Sequence, residues 1–255
     1  MSILDKNYLS IRILPQRVDV LVRMGEKTTY AQFETNSPKG EWNLPSGMKQ
    51  WEGMAFEKVT CSVDNEFFGL VPAAVFDPLG VEHYLALSLT SDSSRYTCLY
   101  DQFSVADMMV VYAVDRLMYH AIVNAFPSAV FRHYSSICSP HFLRHAPRAD
   151  NVVYVHMCPG AFYLVLKSGG KMKVCNRFVY RAPEDILYYL LFALEQAGCD
   201  PAATTLVMGG EVQKNMDALM LLKEFFALVE LDEVKEQSSE EMKYQGAFAS
   251  QYLCV

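Results

Sequence analysis

YLSIRILPQRVDVLVR at residues 8–23 and VVYVHMCPGAFYLVLK at residues 152–167 decide the fold, because they are two copies of one pattern. An offset of 144 positions aligns them without a gap and places Pro15 on Pro159. Each copy alternates apolar and polar residues, turns at its proline, and alternates again, which predicts two antiparallel strands. The sequence therefore predicts a strand hairpin at the head of each of two duplicated halves.

The same offset continues into a third strand in each half. KTTYAQFE at residues 27–34 and KMKVCNRF at residues 171–178 keep the alignment. Three antiparallel strands followed by a helix and a further strand are typical of a mixed five-stranded sheet. We therefore expect a duplicated α/β (α+β) fold with such sheets flanked by helices, divided into a first lobe at 1–147 and a second lobe at 148–255.

An additional block at about 67–147 interrupts the first half, and we interpret it as an inserted subdomain. In the second half, Pro183 and Gly198 are typical of the two ends of a helix over 183–198. This segment is apolar almost all round, so we expect it to be buried between a sheet and other helices. A second helix is predicted at about 213–228.

Composition limits the classes of function. The chain has 255 residues, is 51% apolar, and carries a formal net charge of −7 without a run of Lys or Arg. This balance argues against nucleic acid and anionic membranes as partners. The longest apolar run, 186–194, is far shorter than the roughly 20 residues of a membrane-spanning helix. Seven cysteines without a CxxC pair, and no secretion signal, predict a cytoplasmic protein.

Together these features resemble the actin-like ATPase superfamily, a duplicated RNase H-like fold. SIRILPQR and VYVHMCPG are similar to its first and second phosphate loops. LVMGGEV resembles its strand and Gly-Gly turn at the adenosine, and GAFASQYL resembles its closing helix of small residues. The inserted block lies where the pilus-assembly and cell-division members of bacteria carry an extra subdomain.

Three further motifs resemble one bacterial family within that superfamily. They are LSIRI near the N-terminus, LVPxxxFD at residues 70–77, and EDILYYLL at residues 184–191. The members of this family are uncharacterised proteins of about this length with an actin-like fold. The resemblance covers nearly the whole chain.

The departures from the superfamily pattern concern its chemistry. Active members place an Asp at the end of the first strand of each half, where it holds a metal, and follow it with glycine-rich turns whose N–H groups bind phosphate. Here Arg12 and His156 stand at the Asp positions, and Leu14 and Cys158 stand at the Gly positions. The resemblance therefore implies that the handling of phosphate and metal is lost in both halves.

The Gly209-Gly210 pair survives intact. If a nucleotide such as ATP binds, the resemblance places its base and ribose against Gly209 and Gly210, with Glu211 and Lys214 as the nearest side chains. The alternative is a tight turn between a strand and a helix that needs a positive φ angle, which glycine adopts freely. His141 and His145, four residues apart, lack the Cys or carboxylate support of a zinc site, so we expect no metal.

Three functions remain open. The first is a non-catalytic actin-like scaffold that binds a protein partner and needs no cofactor. The second is a nucleotide-binding switch with little or no hydrolysis, and the third is an active phosphotransferase. Because phosphoryl transfer needs Mg²⁺ and neither hairpin turn supplies a carboxylate, the sequence favours the first over the second and the second over the third. We expect no enzyme activity.

Overall fold

The computed structural model describes residues 6–35, 42–89, 93–103 and 105–232. The chain divides into two compact units between Ile137 and Cys138. The first unit contains strands β1 (Asn7–Leu14), β2 (Arg17–Met24), β3 (Lys27–Glu34), β4 (Lys58–Val63), β5 (Phe68–Pro72), β6 (Tyr96–Phe103), β7 (Met108–Asp115) and β8 (Ala129–His133). Its helices are α1 (Val81–Leu85), α2 (Arg116–Ala125) and the start of α3 (Ser135–His145), with 3₁₀ turns at Ser46–Trp51, Ala73–Val75, Pro78–Gly80 and Ser93–Arg95.

The second unit continues α3 and repeats the plan of the first. Its strands are β9 (Asn151–Cys158), β10 (Ala161–Ser168), β11 (Lys171–Val179), β12 (Thr205–Gly210) and β13 (Leu228–Leu231). Its helices are α4 (Pro183–Gln196) and α5 (Met216–Leu222), with 3₁₀ turns at Pro201–Ala203 and Val212–Asn215. No helix in the described part of the chain has the length and apolar character needed to cross a membrane.

Each unit contains one five-stranded mixed sheet, and the two sheets have the same strand order. The orders are β3-β2-β1-β4-β8 and β11-β10-β9-β12-β13. In each sheet the first three strands are antiparallel, whereas the last two run parallel to the first strand of the unit. The predicted duplicated α/β fold is therefore confirmed.

The two hairpins also share their pairing register. Ile11 lies opposite Val20 in the first, and the equivalent Val155 lies opposite Leu164 in the second. The third strands differ by one residue, because a bulge between Leu166 and Lys167 shifts the pairing of β10 with β11. The gapless alignment of the sequence thus corresponds to equal backbone pairing in both hairpins.

The block at 67–147 is divided between two sheets. Strands β5, β7 and β6 form a separate antiparallel sheet in that order, and α1 packs on it through Val81, Leu85 and Leu89. Strand β8, at the end of the block, instead pairs with β4 and completes the first five-stranded sheet. The separate sheet therefore covers residues 68–115.

Both faces of β1 are buried. Leu9, Ile11 and Ile13 pack in the apolar core of the first unit, which follows from the alternation of side chains along a strand. Ser10 and Arg12 point to the other face, and both are also fully buried. The first sheet thus has one apolar and one polar buried face, and the candidate residue Arg12 belongs to the polar one.

Two expectations about the second unit need correction. The helix predicted at 213–228 is a 3₁₀ turn followed by α5, which ends at Leu222. Residues 228–231 instead form β13, because they complete the sheet by pairing in parallel with β12. The other correction concerns α4, which is not buried on all sides. Tyr188 and Phe192 are 63% and 49% exposed on its outer face.

Candidate functional site

Arg12 lies near the end of β1 and forms a buried ion pair. Its Nη2 atom lies 2.6 Å from Oδ2 of Asp64, the residue directly after β4, and both side chains are buried. The guanidinium also lies over the ring of Tyr134, 3.8 Å from the ring centroid. A planar guanidinium suits both contacts. The charge at this position is therefore balanced inside the first unit.

A second carboxylate lies across the hairpin from Arg12. Asp19 on β2 is the pairing partner of Arg12 and is fully buried. Arg17 contacts both of its oxygens, with Nε at 2.7 Å from Oδ1 and Nη2 at 2.9 Å from Oδ2. The Nη2 contact is a charge-assisted hydrogen bond, and the Nε contact is a short ion pair beside it. Both carboxylates beside Arg12 are thus bonded to guanidinium groups.

His156 occupies the corresponding place in the second unit and is also buried. Its Nδ1 lies 3.1 Å from the hydroxyl of Tyr154, which donates to Oδ2 of Asp232 at 2.7 Å. Because a tyrosine hydroxyl has one hydrogen, and Asp232 accepts it, the proton between Tyr154 and His156 belongs to Nδ1. The Tyr154 ring stacks on Phe142 at 4.3 Å between centroids. His156 is therefore a hydrogen-bond donor at this position.

Gly209 and Gly210 lie beside this chain of hydrogen bonds, at the end of β12. Their pairing partners on β9 are His156 and Met157. A Cβ atom at Gly209 would collide with the Tyr154 hydroxyl, and one at Gly210 would collide with the carbonyl oxygen of Met157. Gly210 also has φ +75°, a conformation that side chains disfavour. Local packing therefore gives a reason for both glycines.

Glu211 and Lys214 follow the glycines and contact each other. Lys214 Nζ lies 2.8 Å from Oε2 of Glu211, whose side chain is only 5% exposed. The carbonyl of Glu211 accepts from Nδ2 of Asn215 at 2.7 Å. Asn215 in turn accepts from the hydroxyl of Tyr180 at 2.6 Å. This turn is thus held by its own side chains.

The two residues that stand where the resemblance leads us to expect glycine are buried. Leu14 is 5% exposed and Cys158 is 1% exposed. In the second unit the structure brings the candidates His156, Gly209 and Gly210 together on adjacent strands. The predicted contacts of Gly209, Gly210, Glu211 and Lys214 with a nucleotide stay predictions.

Sequence reasoning missed the partners of these candidates. Asp64 and Tyr134 contact Arg12, and Tyr154 and Asp232 make the hydrogen-bond chain with His156. Asp64 offered one signal, since it follows the apolar strand KVTCSV directly. A charge at the end of a buried strand often faces the edge where functional groups gather.

A third polar cluster joins the separate sheet to the first five-stranded sheet. Asp101 on β6 accepts from the backbone N–H of His133 at 2.6 Å and from the hydroxyls of Ser136 and, at 3.4 Å, Tyr112. Burial raises the pKa of Asp101 above its usual value, although these hydrogen bonds act against the rise. Asp101 thus fixes the turn between β8 and α3.

His141 and His145 share one side of α3, with ring centroids 4.4 Å apart. His145 Nδ1 lies 2.8 Å from the carbonyl oxygen of His141 and donates to it. Burial and the neighbouring His145 lower the pKa of His141. Across the described ranges, no three His, Cys, Asp or Glu side chains gather in a way that could hold a metal ion.

Comparison with solved structures defines the class of protein. A protein of Bacteroides thetaiotaomicron with an actin-like ATPase fold and unknown function superposes with a TM-score of 0.73 at 16% identity, over 91% of this chain and 94% of that one. The PilM–PilN type IV pilus biogenesis complex contains a chain that superposes with a TM-score of 0.52 at 12% identity, over 98% of both chains. The chain therefore has the actin-like ATPase fold.

The family follows from the sequence. The family of proteins of unknown function named DUF3822 matches residues 2–229. The chain belongs to the DUF3822 family. No curated protein matches it.

Proposed function

We propose that this protein is a non-catalytic actin-like scaffold that acts by binding a protein partner. The observation that carries the proposal is the buried Arg12–Asp64 ion pair. It occupies the end of β1, where the superfamily resemblance leads us to expect a metal-binding Asp. A cation that belongs to the chain itself thus stands where a catalytic member would hold Mg²⁺.

The energetics of this pair oppose a return to metal binding. Removing one partner of a buried ion pair leaves an uncompensated charge and costs about 3–5 kcal/mol. Asp19, the other nearby carboxylate, is bound by Arg17 through two contacts. Phosphoryl transfer relies on Mg²⁺ between the phosphates, and each of these carboxylates already has a positive partner.

The second hairpin supports the same conclusion. His156 donates from Nδ1 to Tyr154, and an imidazole, unlike a carboxylate, brings no permanent negative charge to a metal. Cys158 is buried where the resemblance requires a glycine. In both hairpins a residue other than Asp therefore stands where the resemblance leads us to expect the metal ligand, with Arg12 in the first and His156 in the second.

Two observations support a protein partner. One solved structure with this fold is, by its name, the complex of PilM with PilN. In addition, the separate sheet and its turns expose large aliphatic side chains, with Val75, Leu79 and Leu87 at 67%, 92% and 93% exposure. Exposed apolar side chains in one region are typical of a binding surface. We assign the partner contact to this region.

Phosphate release by the purified protein with ATP and Mg²⁺ tests the lack of catalysis. We expect no release above that of the buffer. A turnover that needs Mg²⁺ and falls in the Glu211→Gln variant would contradict the proposal, because it would place catalysis at the turn after β12. The exposed substitution Glu224→Gln is the matched control.

The partner contact is tested by quantitative pull-down with Leu79→Glu and Leu87→Glu. We expect each variant to lose the partners that the wild-type chain recovers, while circular dichroism shows an unchanged fold. Lys223→Glu, which changes the exposed residue directly after α5, is the control. Equal recovery by all variants would remove this surface from the proposal.

A nucleotide-binding switch is the second candidate function, and the intact Gly209-Gly210 turn favours it. Calorimetry with ATP and Mg²⁺ separates it from the scaffold. A micromolar dissociation constant that weakens in Lys214→Ala would promote the switch above the scaffold. We expect no measurable binding.

A further inference from the structure

The outer face of α4 is more apolar than an exposed helix face normally is. Tyr188 and Phe192 are 63% and 49% exposed, and their rings stack with centroids 6.3 Å apart. The inner face of the helix is fully buried through Ile186 and Leu190. A helix that is apolar on all sides is typical of a covered position. Its outer face thus has the composition of a surface with a partner.

The neighbouring helix α5 extends this apolar character. It packs beside α4 in the same core through Ala218 and Leu222. Its outer side exposes Met216 and Met220, at 48% and 60%. Aromatic residues and Met are enriched at interfaces, and Met adapts to different partner shapes. Two adjacent helices of the second unit therefore each expose a pair of large apolar side chains.

Charges on α4 indicate which partner fits. Glu184, Tyr188, Phe192 and Glu195 follow one another at intervals of four, four and three residues, so they share one face of the helix. All four are exposed. We call this row the α4 stripe. A carboxylate thus stands one turn beyond the aromatic pair at each end, and α4 contains no Lys or Arg.

We infer that the α4 stripe binds a basic amphipathic segment of a partner protein. Apolar side chains of the segment pack on Tyr188 and Phe192, while its Lys or Arg residues pair with Glu184 and Glu195. The ring faces also attract cations directly. A second copy of this chain fits less well, because two stripes in contact would bring like carboxylates together, which is unfavourable. The inference concerns the second unit and does not depend on the proposed contact at Leu79 and Leu87.

Selection from a display library of random 12-residue peptides against the purified full chain tests the inference. We expect the recovered peptides to be enriched in Lys and Arg next to apolar residues. The strongest peptide, fluorescently labelled, should bind at least tenfold more weakly to Tyr188→Ser/Phe192→Ser. The charge-reversal variant Glu184→Lys/Glu195→Lys should instead prefer the matched peptide whose Lys and Arg residues are replaced by Glu. Leu117→Ser, a change at an exposed apolar position on α2 of the first unit, is the control and should bind like the wild type.

Three outcomes of these experiments would overturn the inference about the α4 stripe. Peptides without enrichment of basic residues, or peptides that bind the double Ser variant as well as the wild type, would overturn the inference. A dimer in sedimentation experiments that dissociates in the double Ser variant would also overturn it, since the occupant would then be a second copy. The two double variants change only exposed positions on α4, so their circular dichroism spectra should match that of the wild type. A loss of binding with an unchanged spectrum is then not a loss of fold.

Discussion

Arg12 and its partners show where sequence reasoning ends. The pattern of the hairpin locates Arg12 and His156 at equivalent positions, because the local alternation of a strand is visible in the sequence. Their partners are not visible, since Asp64 is 52 residues from Arg12 and Asp232 is 78 residues from Tyr154. Parallel neighbours such as β1 and β4 meet only after a long connection. The candidate positions were therefore predictable, and the interactions that neutralise them were not.

Replacing Arg12 alone should destabilise the protein strongly. Arg12→Met removes the cation at 2.6 Å from Asp64 and should lower the free energy of unfolding by about 3–5 kcal/mol. The double variant Arg12→Met/Asp64→Leu should recover part of this loss, because neither charge is then buried. Urea unfolding of the single and double variants measures the coupling. Additive effects of the two substitutions would show that the pair contributes nothing.

A side chain at Gly209 should cost less stability when the Tyr154 hydroxyl is absent. Gly209→Ala places a methyl group against the Tyr154 hydroxyl, and overpacking of this kind typically costs about 1–3 kcal/mol. In a Tyr154→Phe background the added cost should be smaller, because the hydroxyl is gone. Thermal unfolding of the four variants in the cycle measures the difference. An equal cost in both backgrounds would mean that the hydroxyl is not the obstacle.

Strands and helices with a strong local sequence pattern were predicted correctly, whereas those fixed by contacts with distant parts of the chain were not. The three antiparallel strands of each unit follow from alternation and turns. The pairing of β13 with β12 replaces the end of a predicted helix, because a free sheet edge offers hydrogen bonds that a helix end cannot use. The burial of the inner face of α4 was predictable from its apolar residues. The exposure of Tyr188 and Phe192 on its outer face was not, because the apolar composition of a helix does not determine which of its faces are covered.

The link between the separate sheet and β8 should depend on pH through Asp101. Burial raises the pKa of Asp101 in the folded protein, so the folded state holds its proton more tightly than the unfolded chain does. Its contribution to stability is then greatest below the ordinary Asp pKa of about 3.9, and it is lost as the pH rises through the higher folded pKa. Asp101→Asn should lack this change. Urea unfolding from pH 3.5 upward measures the difference between the two proteins.

The control for this experiment is Asp217→Asn, which changes an exposed position on α5. Its stability should follow that of the wild type at every pH. If the difference between wild type and Asp101→Asn does not vary with pH, Asp101 keeps the same protonation state when the chain unfolds.

At the scale of the molecule, the described residues of both units have the duplicated sheets of the actin-like ATPase fold. Two sheets of identical strand order were predictable, because one repeat of sequence implies one repeat of backbone. A polar layer on β1 and β4 was not predictable, since Ser and Thr are mostly exposed in proteins, whereas Ser10, Thr60 and Ser62 are buried here. In the described residues the hairpin ends are filled by an ion pair in the first unit and by a chain of hydrogen bonds in the second.

Nucleotide should therefore leave the melting temperature unchanged. A ligand at one hundred times its dissociation constant stabilises a protein by about 2.7 kcal/mol, which corresponds to a rise of roughly 5–10 °C for a chain of this size. We expect no rise with ATP and Mg²⁺. A rise that persists in Leu14→Gly and disappears in Lys214→Ala would show that the turn after β12 binds nucleotide.

The Arg12–Asp64 pair also constrains how the family can evolve. A relative that loses one charge keeps the other buried without its partner, which destabilises the fold. Selection should therefore remove most single changes at residues 12 and 64, whereas paired changes should survive. Aligned relatives should accordingly carry either both charges or neither, and intermediates should be rare. If residues 12 and 64 vary independently among relatives, the ion pair is an accident of this one sequence. If they vary together, the ion pair is a property of the family and not of this one sequence.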